Sequence, residues 1–298
     1  MLEEEIKNYL KAGRIAASAL KFALNKIHEG MPIIELCEMV ENYIIANGAE
    51  LAFPCNVSIN YVAAHDTAEL NETSEIPKKS VVKIDVGAHI NGYIADTAKT
   101  VIFDEKYEKL RMTTEKALIR AIENVKTNIP LSFIGKVVEK IAKENGFNPI
   151  KNLAGHLMKR YLLHAGKSVP NFDDGSTELI KENEVFAIEP FLTTGSGYVK
   201  EINTVKIFSL KQPLKVKSKL KSLFDNIWKT RYTLPFCLRW YKEEINYEEL
   251  KNEIEDFNKR KFIVGYPVLV EESKGIVAQE EHTVIVLSNE IIITTKID

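Results

Sequence analysis

The 298 residues are enough for one large or two modest domains with a real core. Apolar residues at 45% and charged residues at 28% are ordinary for a soluble globular protein, and a formal net charge of −2 gives no electrostatic case for nucleic acid or an anionic membrane. No apolar run nears the roughly 20 residues that span a bilayer, the acidic start Met1-Leu2-Glu3-Glu4-Glu5 is unlike a secretion signal, and three scattered cysteines (Cys37, Cys55, Cys237) suggest neither a disulfide framework nor a zinc knuckle. A cytoplasmic protein with reduced thiols is expected.

In chain order, residues 4–28 carry apolar side chains at three- and four-residue spacing (Ile6, Leu10, Leu20, Leu24, Ile27) and predict an amphipathic helix ended by Gly30. Residues 33–47 predict a second, ended by Gly48. Residues 81–90 and 93–103 are β-rich and flank Asn91-Gly92, the favoured two-residue hairpin turn. Helices are predicted over 113–128 and 134–144, then strands over 184–192 and 198–210. The order helix, helix, hairpin thus occurs twice and hints at two related halves. Residues 211–264 are rich in Lys and Glu and read as a helical insertion, with helices over 218–229 and 247–259 around Pro235. Strands return over 267–271, 275–287 and 290–295. The expected division is a catalytic domain of 1–210 with 265–298, interrupted by an insertion subdomain of 211–264.

Acidic residues inside apolar strands need a reason, because a buried lone carboxylate is costly unless hydrogen-bonded, neutralised or bound to metal. Asp85 sits in Val82-Lys83-Ile84-Asp85-Val86-Gly87 and Asp96 in Ile94-Ala95-Asp96-Thr97. With a two-residue turn, Gly87 faces Asp96, so Asp85 and Asp96 share a face as diagonal neighbours, roughly 7–8 Å apart. Two such carboxylates suit a pair of divalent ions; the alternative is two surface aspartates beside a tight turn. Glu189 lies in Ile188-Glu189-Pro190-Phe191, and Glu280-Glu281 precede His282-Thr283. Strand parity puts only one of that pair on a given face and does not say which. His156, His164 and His65 stand beside small residues, whereas His28 and His89 read as incidental. A carboxylate-rich donor set with few histidines suits manganese, iron(II), cobalt or zinc better than copper. These residues point to a two-metal hydrolase.

Taken together, Phe53-Pro54 through Ala63-Ala64-His65, Lys83-Ile84-Asp85-Val86-Gly87, Asp96-Thr97-Ala98, Ala154-Gly155-His156, Leu163-His164-Ala165-Gly166, Ala187-Ile188-Glu189-Pro190-Phe191, Val277-Ala278-Gln279 and Glu281-His282-Thr283 resemble the type 2 methionine aminopeptidases. The resemblance covers nearly the whole chain. It implies the pita-bread fold, an α/β arrangement of antiparallel sheet in two pseudo-related halves flanked by helices. It implies that Asp85 holds one divalent ion, that His156 and Glu189 hold a second, and that Asp96 and Glu281 bridge them. It implies catalytic roles for His65, His164 and Glu189, and a methionine pocket lined by Phe53 and Tyr266. The insertion between Glu189 and Glu281 marks type 2. Expected partners are the N-termini of nascent polypeptides at the ribosome, with no nucleic acid, no membrane and a monomeric state. The rivals are an Xaa-Pro-type peptidase of the same fold and a non-catalytic binding relative. Two departures stand out: Glu280 where the family has an aromatic residue, and Asp66-Thr67-Ala68 where Tyr-Thr-Pro is common.

Overall fold

A computed structural model describes residues 1–215, 218–288 and 290–297. Residues 216, 217, 289 and 298, which fall within the expected insertion and the expected final stretch, lie outside the described residues.

The chain opens with α1 (Glu3–Lys26) and α2 (Ile33–Ala46), close to their predicted bounds. The buried side of α1 is built from small residues (Ala12, Ala16, Ala19 and Ala23, with Leu20), which lets the helix lie close on the sheet. Short strands β1 (Glu50–Leu51), β2 (Asn56–Ile59) and β3 (Val62–Ala64) follow, then the long hairpin β4 (Val81–Ile90) and β5 (Tyr93–Ile102). Strand β4 is central, with β1 and β2 on one edge and β5 on the other. Asn91 and Gly92 both have positive φ, 52° and 84°, as the two-residue turn requires. The register is the expected one: Gly87 faces Asp96 and Asp85 faces Ala98. Apolar faces of α1, α2 and this sheet close the first core, which includes Leu20, Leu36, Val40, Val57, Ile84 and Val86.

The second half repeats the helix pair with α3 (Glu108–Glu123) and α4 (Leu131–Glu144), each shifted a few residues N-terminal of prediction. After β6 (Asn148–Pro149) come β7 (Ala154–Met158), β8 (Ser168–Pro170), β9 (Val185–Ile188), β10 (Phe191–Thr193) and β11 (Val199–Leu210). The sequence reading paired the 184–192 and 198–210 segments as a second hairpin, and the structure corrects this. Pro190, which has no N–H, splits the first segment into β9 and β10.

Beyond β11, the chain forms α5 (Lys221–Arg231), β12 (Phe236–Cys237), a short 3-10 turn over Leu238–Tyr241, and α6 (Tyr247–Lys259). Strands β13 (Ile263–Glu271), β14 (Val277–Gln279), β15 (His282–Val286) and β16 (Ile291–Ile293) complete it. Strand β11 pairs with β13 and β12, not with its sequence neighbour β10. The antiparallel pair of this half is instead β9 with β15, in a sheet ordered β16-β15-β9-β7-β8. The predicted single strand over 275–287 is also two, because Glu280-Glu281 interrupts it opposite Glu189-Pro190. Before that level Phe191 pairs with Gln279, and after it Ile188 pairs with His282. The second core joins α3 and α4 to β7, β9 and β15 through Leu118, Ile134, Leu157, Phe186 and Val284. A third cluster gathers Phe224, Ile227, Phe236, Leu250, Ile254 and Phe257 from the segment between β11 and β13.

Candidate metal centre

The hairpin β4–β5, the interruption between β9 and β10, the interruption between β14 and β15, and strand β7 meet at one cavity. It has a volume of ≈ 180 Å³ and is lined by Phe53, Asn56, His65, Asp85, Asp96, His156, His164, Glu189, Pro235 and Tyr266, among others. Asp96 is fixed from behind. Its backbone N–H donates to Thr283 Oγ1 at 2.7 Å, and that hydroxyl donates to the Asp96 carbonyl at 2.8 Å. Thr97 Oγ1 donates to the Glu281 carbonyl at 2.9 Å, so β5 positions Glu281 as well. Asp85 and Asp96 from one hairpin, His156, Glu189 and Glu281 therefore converge from four separate stretches of chain. Glu281, 1% exposed, is not among the residues that line the cavity.

The polar atoms here lack partners. Asp85 Oδ1, Asp96 Oδ1 and both Glu281 carboxylate oxygens are buried with no hydrogen bond. His156 Nε2 stands 3.6 Å from both Asp96 Oδ2 and Glu189 Oε1, too far for a hydrogen bond. One ligand atom each from Asp96, His156 and Glu281 lie within 4.8 Å of one another. Burial pushes the carboxyl pKa values up: Asp85 to about 6, and Asp96, Glu189 and Glu281 well above the carboxylate range, each raised further by its charged neighbours. Four clustered acids, three of them with idle oxygens, around an imidazole form an incompletely satisfied polar network unless cations occupy it. The donor set fits divalent metal.

Glu280, one residue away, points elsewhere. Its carboxylate accepts from Lys99 Nζ and from the Thr100 backbone N–H, each at 3.2 Å, and burial raises its pKa to about 7. That resolves the parity ambiguity and shows what replaces the expected aromatic: an ion pair sealed under β5. Asp66, in the second departure, pairs with Lys206 at 2.8 Å and does not line the cavity.

The three other aromatic and imidazole residues form one wall. His65 has a left-handed backbone (φ 63°), and its Nδ1 donates to the Pro267 carbonyl at 3.2 Å, leaving Nε2 as the other ring nitrogen. The His156 and His164 rings are 4.4 Å apart, His164 and Tyr266 6.3 Å, and His65 and Tyr266 5.6 Å. Burial lowers all three histidine pKa values, His164 to about 4, so each is neutral near pH 7. Phe53 also lines the cavity. A Cβ on Gly87 would collide with its ring, so glycine in β4 makes room for it.

Two supporting residues had no signal of their own in sequence. Gln279 Nε2 donates to Asp85 Oδ2 and to Glu189 Oε2, both at 3.3 Å, tying the two acids together. Lys83, fully buried, donates to the Asn60 and Val277 carbonyls at 2.9 and 3.1 Å and joins β4 to β14 under the site.

A pita-bread frame of paired antiparallel sheets, closed around buried carboxylates and histidine, is the architecture of a metallopeptidase. The profile of metallopeptidase family M24 matches residues 7–210. The methionine aminopeptidase of Saccharolobus solfataricus is 43% identical over 299 residues, covering 99% of both chains. Among solved structures, the methionine aminopeptidase of Thermotoga maritima superposes with a TM-score of 0.73 at 21% identity, over 99% of this chain and 98% of its own. A thermophilic Arx1 superposes with a TM-score of 0.83 at 16% identity, over 99% and 91%. The chain belongs to metallopeptidase family M24, and within it to the methionine aminopeptidases.

Proposed function

We propose that this enzyme removes the initiator methionine from nascent polypeptides whose second residue is small, using two divalent ions. The observation that carries this reading is the set of idle buried oxygens on Asp85, Asp96 and Glu281 facing His156 and Glu189. Asp85 would hold one ion, His156 and Glu189 the other, and Asp96 and Glu281 both. Four carboxylates and one imidazole favour manganese, iron(II), cobalt or zinc. Bound metal supplies Lewis acidity, lowering the pKa of water toward neutrality and polarising a carbonyl.

The chain's own groups supply the rest. Neutral His164 donates its ring N–H to the scissile carbonyl oxygen as charge develops there. His65, with Nδ1–H committed to Pro267, presents Nε2 as an acceptor for the N–H of the scissile amide. Glu189 takes the proton of the attacking water and passes it to the leaving amine. Phe53 and Tyr266, with Pro235, enclose the methionine side chain.

The segment 211–264 acts as an insertion subdomain of the type 2 kind, with a cluster of its own, contributing Pro235 to the cavity and bonding to the first half through Arg231 and Arg239. The proposed location is the cytoplasm, where new N-termini emerge; among the described residues no helix is long and apolar enough to cross a membrane.

The test is methionine release from a Met-Ala-Ser peptide by chelator-treated protein to which single metals are restored. Release that returns with metal is expected. No release with any of the four metals, or cleavage of Xaa-Pro peptides in its place, would overturn the proposal.

A further inference from the structure

Arg231, in the last turn of α5, stands behind the cavity and touches none of its contents. One of its terminal nitrogens, Nη2, donates to three backbone carbonyls: Pro235 at 2.6 Å, Leu51 at 2.9 Å and Ala52 at 3.3 Å. Pro235 lines the cavity, and Ala52 precedes Phe53, which also lines it. The guanidinium also lies 4.7 Å from the centroid of the Trp240 ring. On its far side, Leu51, Arg231 and Trp240 face an open outer groove. One cation thus ties together two chain segments, 180 positions apart in sequence, that each supply a lining residue of one pocket.

We propose that Arg231 is a positioning residue that sets the width of the side-chain pocket, and so the preference for methionine over other N-terminal side chains. The inference rests on the proposed aminopeptidase activity and refines it. All three bonds converge on Nη2, so the Leu51, Ala52 and Pro235 carbonyls are gathered at one point, and the spacing of Phe53 and Pro235 follows from it. Without it, the Pro235 carbonyl loses the shared donor that ties it to the Leu51-Ala52 segment, and the pocket accepts other shapes. The reacting groups stand on other elements, so their alignment does not depend on it.

The experiment compares wild type, Arg231→Met and Arg231→Lys, all loaded with manganese, on peptides X-Ala-Ser with X as Met, norleucine, Leu or Ile. In Arg231→Met the ratio of kcat/KM for Met over Leu should fall by about tenfold, the discrimination attached to a methylene-sized misfit. The loss should appear as a raised KM for Met, with kcat and bound manganese close to wild type. Arg231→Lys, which keeps a donor but not the planar fork, should lie between. An unchanged ratio in Arg231→Met overturns the inference, as does a fall in kcat and metal content at constant ratio. Should Arg231→Met fail to fold, Arg231→Lys decides: an unchanged ratio there overturns the inference. Wild type releasing no methionine would instead count against the proposed function.

Discussion

Asp96 is anchored through its backbone, by the reciprocal bonds with Thr283, while its carboxylate oxygen Oδ1 is idle. Asp96→Asn therefore changes the donor without moving the strand. Turnover should fall by at least about 100-fold with loss of bound metal, measured by peptide release and metal analysis of the same sample. Full activity in this variant would remove Asp96 from the proposed ligand set. Gln279→Leu takes away the donor shared by Asp85 and Glu189, and metal affinity should drop about 10- to 100-fold by titration into chelator-treated protein. The raised carboxyl pKa values fix the sign of the pH effect. Acids held protonated up to higher pH must give up protons to accept metal, so affinity should weaken as pH is lowered from 8 to 6, with proton release on binding. A pH-independent affinity would contradict this. At this scale the sequence was partly legible. An acid in an apolar strand is conspicuous, so Asp85, Asp96, Glu189 and the pair Glu280-Glu281 stand out, and only the resemblance to a family chooses Glu281. Gln279 does not, because a neutral amide in a strand is unremarked until its two partners are known.

Among the elements, the β4–β5 hairpin was the most legible: Asn91-Gly92 fixes loop length, loop length fixes register, and register places Asp85 and Asp96 on one face. His89, read as incidental, turns out to support that turn. It is 1% exposed, and its Nδ1 accepts the Gly92 N–H at 3.1 Å. Burial, with the Arg231 charge beside it, lowers its pKa from 6.5 to about 3. Below pH 6.5 the unfolded chain gains a proton here that the folded one refuses, so stability is lost as pH falls from 6.5 toward 3. His89→Gln should flatten that part of the stability profile, followed by denaturant midpoints across the range. An unchanged slope would exclude His89 as its source. Less legible were the strand interruptions at Glu189-Pro190 and Glu280-Glu281. Each segment reads as one β-rich run, and only pairing with two different sheets divides it.

Across the whole molecule, the segment 211–264 is keyed to the first half by a buried ion pair. Glu41 on α2 meets Arg239, and the same carboxylate accepts from Trp240 Nε1 at 2.8 Å and from the Cys55 backbone N–H at 2.9 Å. Arg239 also donates to Thr67 Oγ1 and to the Ala68 carbonyl, each at 3.1 Å. Glu41→Gln leaves the guanidinium buried without its counter-charge, and should destabilise the protein by about 3–5 kcal/mol in denaturant unfolding. A change below 1 kcal/mol would mean that water or rearrangement relieves the charge. Composition exposed the segment as different, rich in Lys and Glu, but gave no hint that it reaches back to α2. Interactions between residues nearly 200 positions apart leave no local pattern to read.

The facing interruptions in β9–β10 and β14–β15 bear on how the molecule assembles. Thr283 meets Asp96 across 187 positions, so the acidic cluster is complete only when the two halves of the chain have paired. Closing those strands brings the acids together with nothing between them. Refolding yield should accordingly be higher in buffer containing divalent ions than in buffer containing chelator.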